Sequence, residues 1–167
     1  MGYHEHRQLS PKNVSCAVVT ISDSHSEADD ESGKLIQGRL RDHGHTVADY
    51  RLLKNDAAAI QATITYLVSR EDVQAIITTG GTGVSHRDVT VDTVEPMLKK
   101  KLDGFGELFR QLTHQEIGTG SILSRATGGV IGGTVVLSFP GSLGAATLAM
   151  DKVILPELGH MVREATR

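Results

Sequence analysis

The sequence predicts an α/β fold, a three-layer sandwich in which helices cover both faces of a mostly parallel central sheet. Three apolar runs of strand length alternate with helical patterns through short links, which is typical of a doubly wound sheet. A Gly132-Gly133 pair between two further apolar runs adds a small β-hairpin. At 167 residues, the chain is long enough for one domain with its own core.

Composition narrows the classes of protein to which the chain can belong. The formal net charge is −3, whereas nucleic-acid-binding proteins are usually basic, so we expect no nucleic-acid partner. Aromatic residues make up only 4%, so we expect an aliphatic core and added stability from subunit contacts. No apolar stretch reaches membrane-spanning length and no signal peptide is recognisable, so we expect a cytoplasmic protein without a membrane partner. The single cysteine, Cys16, lies in an apolar run and is predicted to be a buried hydrophobic residue.

The first residues differ from the rest of the chain. Residues 1–12 are mostly polar and include Pro11, and they are predicted to form a flexible N-terminal tail before a single domain at residues 13–167. His4 and His6 are two possible metal ligands in this tail. Because the sequence supplies no third ligand nearby, solvated histidines are the simpler interpretation.

The first half of the chain carries the strand and helix alternation. Its strands are near-continuous apolar runs, as in parallel strands covered on both faces, and its helices have apolar residues at helical spacing. The predicted elements are a strand at residues 14–21, a helix at 30–43, a strand at 46–53, a helix that begins at Asn55 or Asp56, and a strand at 73–77.

The second half is predicted to be more varied. The predicted elements are helices at residues 92–101, from 104 onward, at 121–126 and at 144–155, with the hairpin returning as a strand at 134–139. Lys99-Lys100-Lys101 would then lie at a helix C-terminus, where positive charge offsets the negative end of the helix dipole. Phosphate binding by these lysines is the alternative.

A glycine loop, defined as Gly80-Gly81-Thr82-Gly83, follows the third strand. Glycines allow positive φ and close approach of a ligand, and successive amides in such a loop form an anion-binding concavity. Arg87 and Asp88 follow as a cation and a possible magnesium ligand. The loop matches neither a Walker P-loop nor the dinucleotide-binding pattern, and a tight turn with a solvated ion pair is the alternative.

Polar residues also follow the first and last strands of the predicted sheet. Ser22-Asp23-Ser24 comes after the first strand, and Pro140-Gly141-Ser142 follows the last. If these strands are parallel, their carboxyl ends share one edge with the glycine loop, where ligands of open α/β sheets bind. Helix capping is the alternative for Ser22 and Asp23.

Four ordered motifs between residues 14 and 158 resemble the MoaB/Mog family of molybdenum cofactor biosynthesis proteins. The segment Glu116-Ile117-Gly118-Thr119 is more similar to the MoaB branch than to the Mog branch. The motifs are Gly80-Gly81-Thr82-Gly83 with Arg87-Asp88-Val89-Thr90, Gly104-Phe105-Gly106-Glu107 with Phe109-Arg110, Ser124-Arg125-Ala126, and Pro140-Gly141-Ser142.

The resemblance implies a function, partners and a set of site residues. It implies a molybdopterin-binding α/β domain that assembles as a homotrimer or hexamer and uses Mg²⁺ and ATP to adenylylate molybdopterin, releasing pyrophosphate. Asp88 would be the magnesium ligand and, with Asp56 and Asn55, a catalytic residue. The expected substrate-binding residues are Ser22, Asp23, Gly80, Gly81, Thr82, Gly83, Arg87, Thr90, Glu107, Ser138, Pro140, Gly141 and Ser142.

One position departs from the pattern of the Mog branch. A second functional aspartate of that branch aligns with Asn55, and Asp56 comes one residue later. An asparagine keeps a carbonyl ligand for magnesium but loses the charge, so magnesium binding would weaken unless Asp56 substitutes. Asp56 is equally interpreted as a helix cap. The chain is therefore predicted to be either a molybdopterin adenylyltransferase or a non-catalytic molybdopterin-binding paralogue.

Overall fold

The structure, a computed structural model, describes residues 2–167 and has a six-stranded central sheet. The strands are β1 (Ser15–Ile21), β2 (Thr46–Leu53), β3 (Ala75–Thr79), β4 (Lys100–Lys101), β5 (Thr127–Ile131) and β6 (Thr134–Phe139). Their order across the sheet is β2-β1-β3-β6-β5-β4. Neighbours from β2 to β6 are parallel, whereas β5 is antiparallel to β6 and to β4. The mostly parallel sheet and the hairpin are confirmed.

Helices cover both faces of this sheet. They are α1 (Tyr3–Gln8), α2 (Glu31–Asp42), α3 (Ala57–Ser69), α4 (Thr90–Val94), α5 (Asp103–Ile117), α6 (Leu143–Leu148) and α7 (Leu155–Ala165). Short 3₁₀ turns occur at Glu27–Asp29, Glu95–Met97 and Gly118–Leu123, and a π-helical segment, Ala149–Ile154, joins α6 to α7. Among residues 2–167, no helix combines the length and apolar character needed to span a bilayer.

Two hydrophobic cores lie on opposite faces of the sheet, as a three-layer sandwich requires. Adjacent β1 residues alternate between the cores: Val18 packs in one and Val19 in the other. The first core includes buried residues of α2, α5, α6 and α7, and the second includes those of α3. Cys16 is fully buried in the first core, and this burial raises the pKa of its thiol to about 12. The thiol therefore stays protonated, as expected for a buried hydrophobic residue.

The helix predicted at residues 92–101 is wrong beyond its first turns. The α-helix ends at Val94, a 3₁₀ turn containing Pro96 follows, and Lys100 and Lys101 form β4 opposite Val130 and Gly129 of β5. Pairing with a strand almost thirty residues away overrides the local helical pattern. The lysines consequently do not lie at a helix C-terminus, and the helix-dipole interpretation fails.

The N-terminal segment also differs from the prediction. A tail of loose order was expected for residues 1–12, but Tyr3–Gln8 form α1. The Tyr3 hydroxyl donates a hydrogen bond to Glu157 (2.6 Å), and Arg7 donates to the carbonyl of Pro156 (3.0 Å). The helix therefore depends on partners about 150 residues away, which no local sequence pattern indicates.

Two further differences concern the second half of the chain. The predicted helix at residues 121–126 is a 3₁₀ turn over Gly118–Leu123 that leads into β5. The helical structure that starts at Leu143 continues through Pro156 to Ala165, because proline is tolerated in the first turn of α7.

Candidate functional site

The loops that follow four parallel strands meet at one edge of the sheet. Because β2, β1, β3 and β6 run in the same direction, their carboxyl ends lie together, as the sequence led us to expect. A first cavity of about 500 Å³ and a second cavity of about 300 Å³ open at this edge. Ser142, which caps α6 by accepting a hydrogen bond from the amide of Ala145 (3.1 Å), lines both cavities.

The two cavities contain most of the predicted site residues. The first is lined by Ser22, Asp23, Asn55, Gly80, Gly81, Gly141 and Ser142, among others. The second is lined by Thr82, Gly83, Pro140 and Ser142, together with apolar side chains.

The glycine loop lies between the cavities in a conformation that only glycine adopts readily. Gly80 and Gly81 have φ values of +99° and +67°. A Cβ at Gly80 would collide with the carbonyl oxygen of Ile21, and one at Gly81 would lie 2.5 Å from Asn55 Oδ1. Both the backbone angle and the close approach of neighbouring loops therefore require glycine here.

Two carbonyl groups of the loop accept hydrogen bonds from Thr90, whereas three of its amides have no protein acceptor. The Thr90 hydroxyl donates to the Gly80 carbonyl (2.8 Å), and the Thr90 amide donates to the Gly81 carbonyl (3.0 Å). Within residues 2–167, the amides of Gly81, Thr82 and Gly83 donate no hydrogen bond to a protein acceptor. Unpaired amides in succession are the groups that bind phosphate or carboxylate oxygens.

Buried polar atoms without partners occur beside the same loop. Asn55 Oδ1 is buried at the first cavity and Ser124 Oγ at the second, and neither has a protein hydrogen-bond partner within the described chain. Most buried polar groups in native proteins are paired, so these two atoms are candidates for contacts with a ligand or with water.

Asp23 joins three of the loops at this edge. Its Oδ1 accepts a hydrogen bond from the amide of Asn55 (3.0 Å), and its Oδ2 accepts from Nε (3.1 Å) and Nη2 (2.8 Å) of Arg87. The Asn55 amide, and then Arg87, lower the pKa of the Asp23 carboxyl below its ordinary value. Arg87 does not orient Asp88, because its guanidinium is paired with Asp23, and its contact with a substrate phosphate stays a prediction.

Asp88 lies next to Gly83, the last residue of the glycine loop. Its Oδ2 accepts a hydrogen bond from the amide of Ser85 (3.1 Å), and a Cβ at Gly83 would lie 2.5 Å from the same oxygen. Asp88 lines neither of the two cavities. Its Oδ1 has no hydrogen-bond partner in the described chain, so the carboxylate keeps one oxygen for a ligand.

Asp56, predicted to be a catalytic residue or a helix cap, and Ser138, predicted to bind substrate, both make structural hydrogen bonds. Asp56 caps α3 by accepting a hydrogen bond from the amide of Ala59 (2.7 Å), which is the alternative that the sequence left open. Ser138 is fully buried between β3 and β6, where it accepts a hydrogen bond from the Thr78 hydroxyl (2.6 Å). Neither residue lines the cavities.

Thr90 and Glu107 are also separate from the cavities. Thr90 is fully buried and acts on the glycine loop through the hydrogen bonds given above. Glu107 is exposed on α5 and lines neither cavity, because the buried face of that helix carries Phe105, Gly106 and Phe109.

Several residues that support the site were not predicted from the sequence. Ser32, at the start of α2, donates a hydrogen bond to the carbonyl of Gly141 (2.9 Å) and lines the first cavity. Arg125 donates to the carbonyl of Gly83 (3.2 Å) and to Asp92 (2.7 Å), and so holds the loop against α4. Ser124 and Arg125 belong to a motif quoted for the family resemblance, and that motif was the available signal. Nothing local distinguishes Ser32 from an ordinary helix residue.

Comparisons with known proteins show to which family this chain belongs. The family model described as "Probable molybdopterin binding domain" matches residues 17–160. This chain belongs to that family.

Its relatives indicate the MoaB branch. Molybdenum cofactor biosynthesis protein B of Bacillus anthracis is 48% identical over 168 aligned positions, which cover 100% of this chain and 99% of that protein. A crystal structure of a molybdenum cofactor biosynthesis protein B matches with a TM-score of 0.90 and 48% identity over 93% of this chain and 98% of the other. The tungsten cofactor synthesizing protein MoaB of Pyrococcus furiosus matches with a TM-score of 0.86 and 33% identity over 95% and 100% of the two chains.

Proposed function

We propose that this chain acts in molybdenum cofactor biosynthesis by binding molybdopterin and adenylylating it with Mg²⁺ and ATP. The observation that carries the proposal is the set of unpaired amides of Gly81, Thr82 and Gly83 between two adjoining cavities. The reaction joins two organic molecules through a phosphate, so it needs space on both sides of one anion-binding loop. Family membership and the names of the relatives support the choice of molybdopterin.

The proposed reaction is nucleotidyl transfer. An oxygen of the molybdopterin phosphate attacks the α-phosphorus of ATP, the bond from that phosphorus to the bridging oxygen of the β-phosphate breaks, and pyrophosphate leaves. Such reactions depend mainly on positioning and charge stabilisation. The amides of Gly81, Thr82 and Gly83 would stabilise the phosphoryl oxygens, and Ser124 would hydrogen-bond a substrate through its unpaired hydroxyl.

The residues present fit a magnesium ion that is shared with substrate phosphates. Mg²⁺ prefers oxygen ligands, and protein sites commonly supply one or two carboxylates while phosphates and water complete the octahedron. Asp88 Oδ1 and Asn55 Oδ1 are both near the glycine loop and have no protein hydrogen-bond partner, and we propose them as ligands. When bound, the ion neutralises charge that develops on pyrophosphate.

Pyrophosphate release tests the proposal. Purified protein would be incubated with molybdopterin, ATP and Mg²⁺, and release would be compared between the natural chain, Asp88→Ala and Asp42→Ala. Asp42 is an exposed carboxylate at the end of α2 and serves as the matched control. We expect at least a hundredfold slower release from Asp88→Ala and an unchanged rate from Asp42→Ala. Equal rates in all three, or no release from the natural chain, would overturn the adenylylation proposal.

A non-catalytic molybdopterin-binding protein is the second candidate function. Asn55 favours it, because an amide at this cavity holds Mg²⁺ less strongly than the aspartate that the Mog branch has there. In that case the natural chain binds molybdopterin without turnover, and Asn55→Asp gains pyrophosphate release. Turnover by the natural chain at a rate equal to that of Asn55→Asp excludes this candidate.

We also propose that the chain assembles as a homotrimer or hexamer. Large apolar side chains next to the second cavity are exposed in the single chain: Ile117 is 64% exposed, Ile122 80% and Leu123 58%. Several large apolar side chains exposed within seven residues of one another in the chain are a feature expected of a protein–protein interface. Sedimentation at micromolar concentration should give a trimer or a larger species, and a monomer would contradict the proposal.

A further inference from the structure

Three potential metal ligands come together far from the cavities, where α1 packs on α7. Ligand atoms of His6, His160 and Glu164 all lie within 4.8 Å of one another. Two imidazoles and one carboxylate are a common set of protein ligands for zinc, with a water molecule as the fourth ligand. No third ligand lies near His6 in the sequence, but folding brings two from a helix about 150 residues later.

His160 already has the outer partner that metal-binding histidines usually have. Its Nδ1 lies 3.0 Å from Glu157 Oε2, and the other oxygen of that carboxylate accepts a hydrogen bond from the Tyr3 hydroxyl (2.6 Å). Donation from Nδ1 to a carboxylate fixes the tautomer in which Nε2 carries a lone pair. The imidazole is therefore oriented, and its second nitrogen is available to a metal ion.

The Nδ1 atom of His6 faces both a hydrogen-bond donor and an acceptor, and no single tautomer of the ring satisfies both contacts. Its Nδ1 lies 2.8 Å from Glu164 Oε1 and 2.9 Å from Nη1 of Arg163. A protonated Nδ1 faces the donor of Arg163, whereas an unprotonated Nδ1 faces the lone pairs of Glu164. Because Arg163 Nη1 contacts both His6 Nδ1 and Glu164 Oε1, a metal ion between these two atoms requires the Arg163 side chain to move, and it would then replace the mismatch with two coordination bonds.

Two guanidiniums lie next to the cluster, and each has one effect that favours metal binding and one that opposes it. Arg163 and Arg167 each donate to an oxygen of Glu164 at 2.8 Å, which orients the carboxylate as outer partners of metal ligands do. Their charges also repel a cation. We therefore expect weaker binding than in structural zinc sites that have thiolate ligands.

We propose that His6, His160 and Glu164 bind one Zn²⁺ ion, with water as the fourth ligand, and that the ion ties α1 to α7. The helix α1 has only six residues and no buried side chain, so neither its length nor a core holds it in place. Nitrogen ligands favour zinc over magnesium, which prefers oxygen. This site is therefore separate from the proposed Mg²⁺-dependent reaction.

Zinc titration of the untagged full-length chain tests the proposal. Zn²⁺ would be titrated in competition with a chromophoric chelator and in the presence of excess Mg²⁺, which should not compete. We expect one zinc ion per chain, with affinity at least tenfold lower in His6→Ala and in His160→Ala. His4→Ala is the matched control, because His4 is an exposed histidine of the same helix outside the cluster, and its affinity should stay within twofold of the natural chain.

Hydrogen exchange provides a second measurement that does not depend on affinity alone. Zinc should slow amide exchange in Tyr3–Gln8 at least tenfold in the natural chain and in His4→Ala, but not in His6→Ala. Circular dichroism would verify that the variants fold. We expect His6→Ala to fold, because His6 belongs to a helix on the surface. Absence of saturable zinc binding, equal affinity of His6→Ala and the natural chain, or zinc binding without slower exchange in α1 would each overturn the proposal.

Discussion

Two pairs of adjacent glycines follow strands of the same sheet, and glycine is required in each pair for a different physical reason. Gly80 and Gly81 begin the glycine loop, and Gly132 and Gly133 form the hairpin turn between β5 and β6. All four have positive φ, between +55° and +99°. In the hairpin turn, the atoms nearest to an added Cβ are 3.6 Å away at Gly132 and 3.8 Å at Gly133, whereas at Gly80 the Cβ would collide with a backbone oxygen.

The difference in the space around these glycines indicates why one turn is a candidate binding site and the other is not. The hairpin turn needs glycine only for its backbone angles, since there is room for a side chain. The glycine loop needs it also because loops from β1, β2 and β6 approach its backbone closely. That approach brings unpaired amides, Asn55 and Asp23 to one place, so the position at the carboxyl ends of parallel strands gives the loop its proposed function.

Substitution of alanine for one glycine in each turn should give the largest difference in the free energy of unfolding. We expect Gly80→Ala to lower the free energy of unfolding by about 3 kcal/mol, because the backbone oxygen of Ile21 cannot move away easily. We expect Gly132→Ala to cost about 1 kcal/mol, the cost of positive φ alone. Urea denaturation measures both values, and molybdopterin binding should be lost only in Gly80→Ala. Equal costs in the two turns would contradict the distinction between them.

Ser138→Ala tests whether Ser138 contributes to substrate binding or only to stability. Removing the buried Ser138 hydroxyl leaves the Thr78 hydroxyl without its acceptor, so we expect the free energy of unfolding to fall by about 2 kcal/mol. Thermal unfolding measures this loss. Because Ser138 lines neither cavity, the affinity for molybdopterin should stay within twofold. A tenfold weaker affinity in the folded variant would return Ser138 to the substrate-binding residues.

Asp23→Asn tests whether the hydrogen bonds of Asp23 to the Asn55 amide and to Arg87 matter for binding. The substitution weakens the contacts that hold Arg87 and the Asn55 amide, and we expect about tenfold weaker molybdopterin binding, or about 1.4 kcal/mol. Asp151→Asn is the matched control, because Asp151 forms a similarly exposed ion pair with Arg39 (2.8 Å) on the surface of the first core. Isothermal titration calorimetry would compare the two variants, and equal affinities would show that these hydrogen bonds do not position the loop.

The pH dependence of the same carboxyl gives a smaller effect with a definite sign. The Asn55 amide and Arg87 lower the Asp23 pKa in the folded state, so the stability that this carboxylate contributes is present above the ordinary Asp pKa of about 3.9. It is lost as the pH falls through the lower folded-state pKa. Carbon-13 NMR of the carboxyl should give a midpoint below 3.9, with chemical-shift changes in the glycine loop and none in the hairpin turn. A midpoint above 3.9 would contradict the hydrogen-bond assignment.

The sequence predicts features that depend on local patterns. β2 has the predicted bounds, Thr46–Leu53, and the hairpin turn lies at the predicted glycine pair. The loops after β1, β3 and β6 meet as predicted, because parallel strands bring their carboxyl ends to one edge.

Features that depend on distant partners were not predictable in this way. β4 forms through pairing with Val130 and Gly129, and α1 through contacts with Glu157 and Pro156. Asn55 and Asp56 are both plausible helix caps in sequence, and only the structure shows that Asp56 is the cap. A strand pattern likewise does not tell which hydroxyl, such as that of Ser138, is bonded within the sheet.

Amide NMR tests whether the unpaired amides of the glycine loop bind the phosphate of the substrate. Molybdopterin would be titrated into ¹⁵N-labelled protein while the amide signals are followed. We predict that the largest downfield proton shifts occur at Gly81, Thr82 and Gly83, and that Gly132 and Gly133 do not shift. Saturable molybdopterin binding without shifts at those three amides would contradict the account.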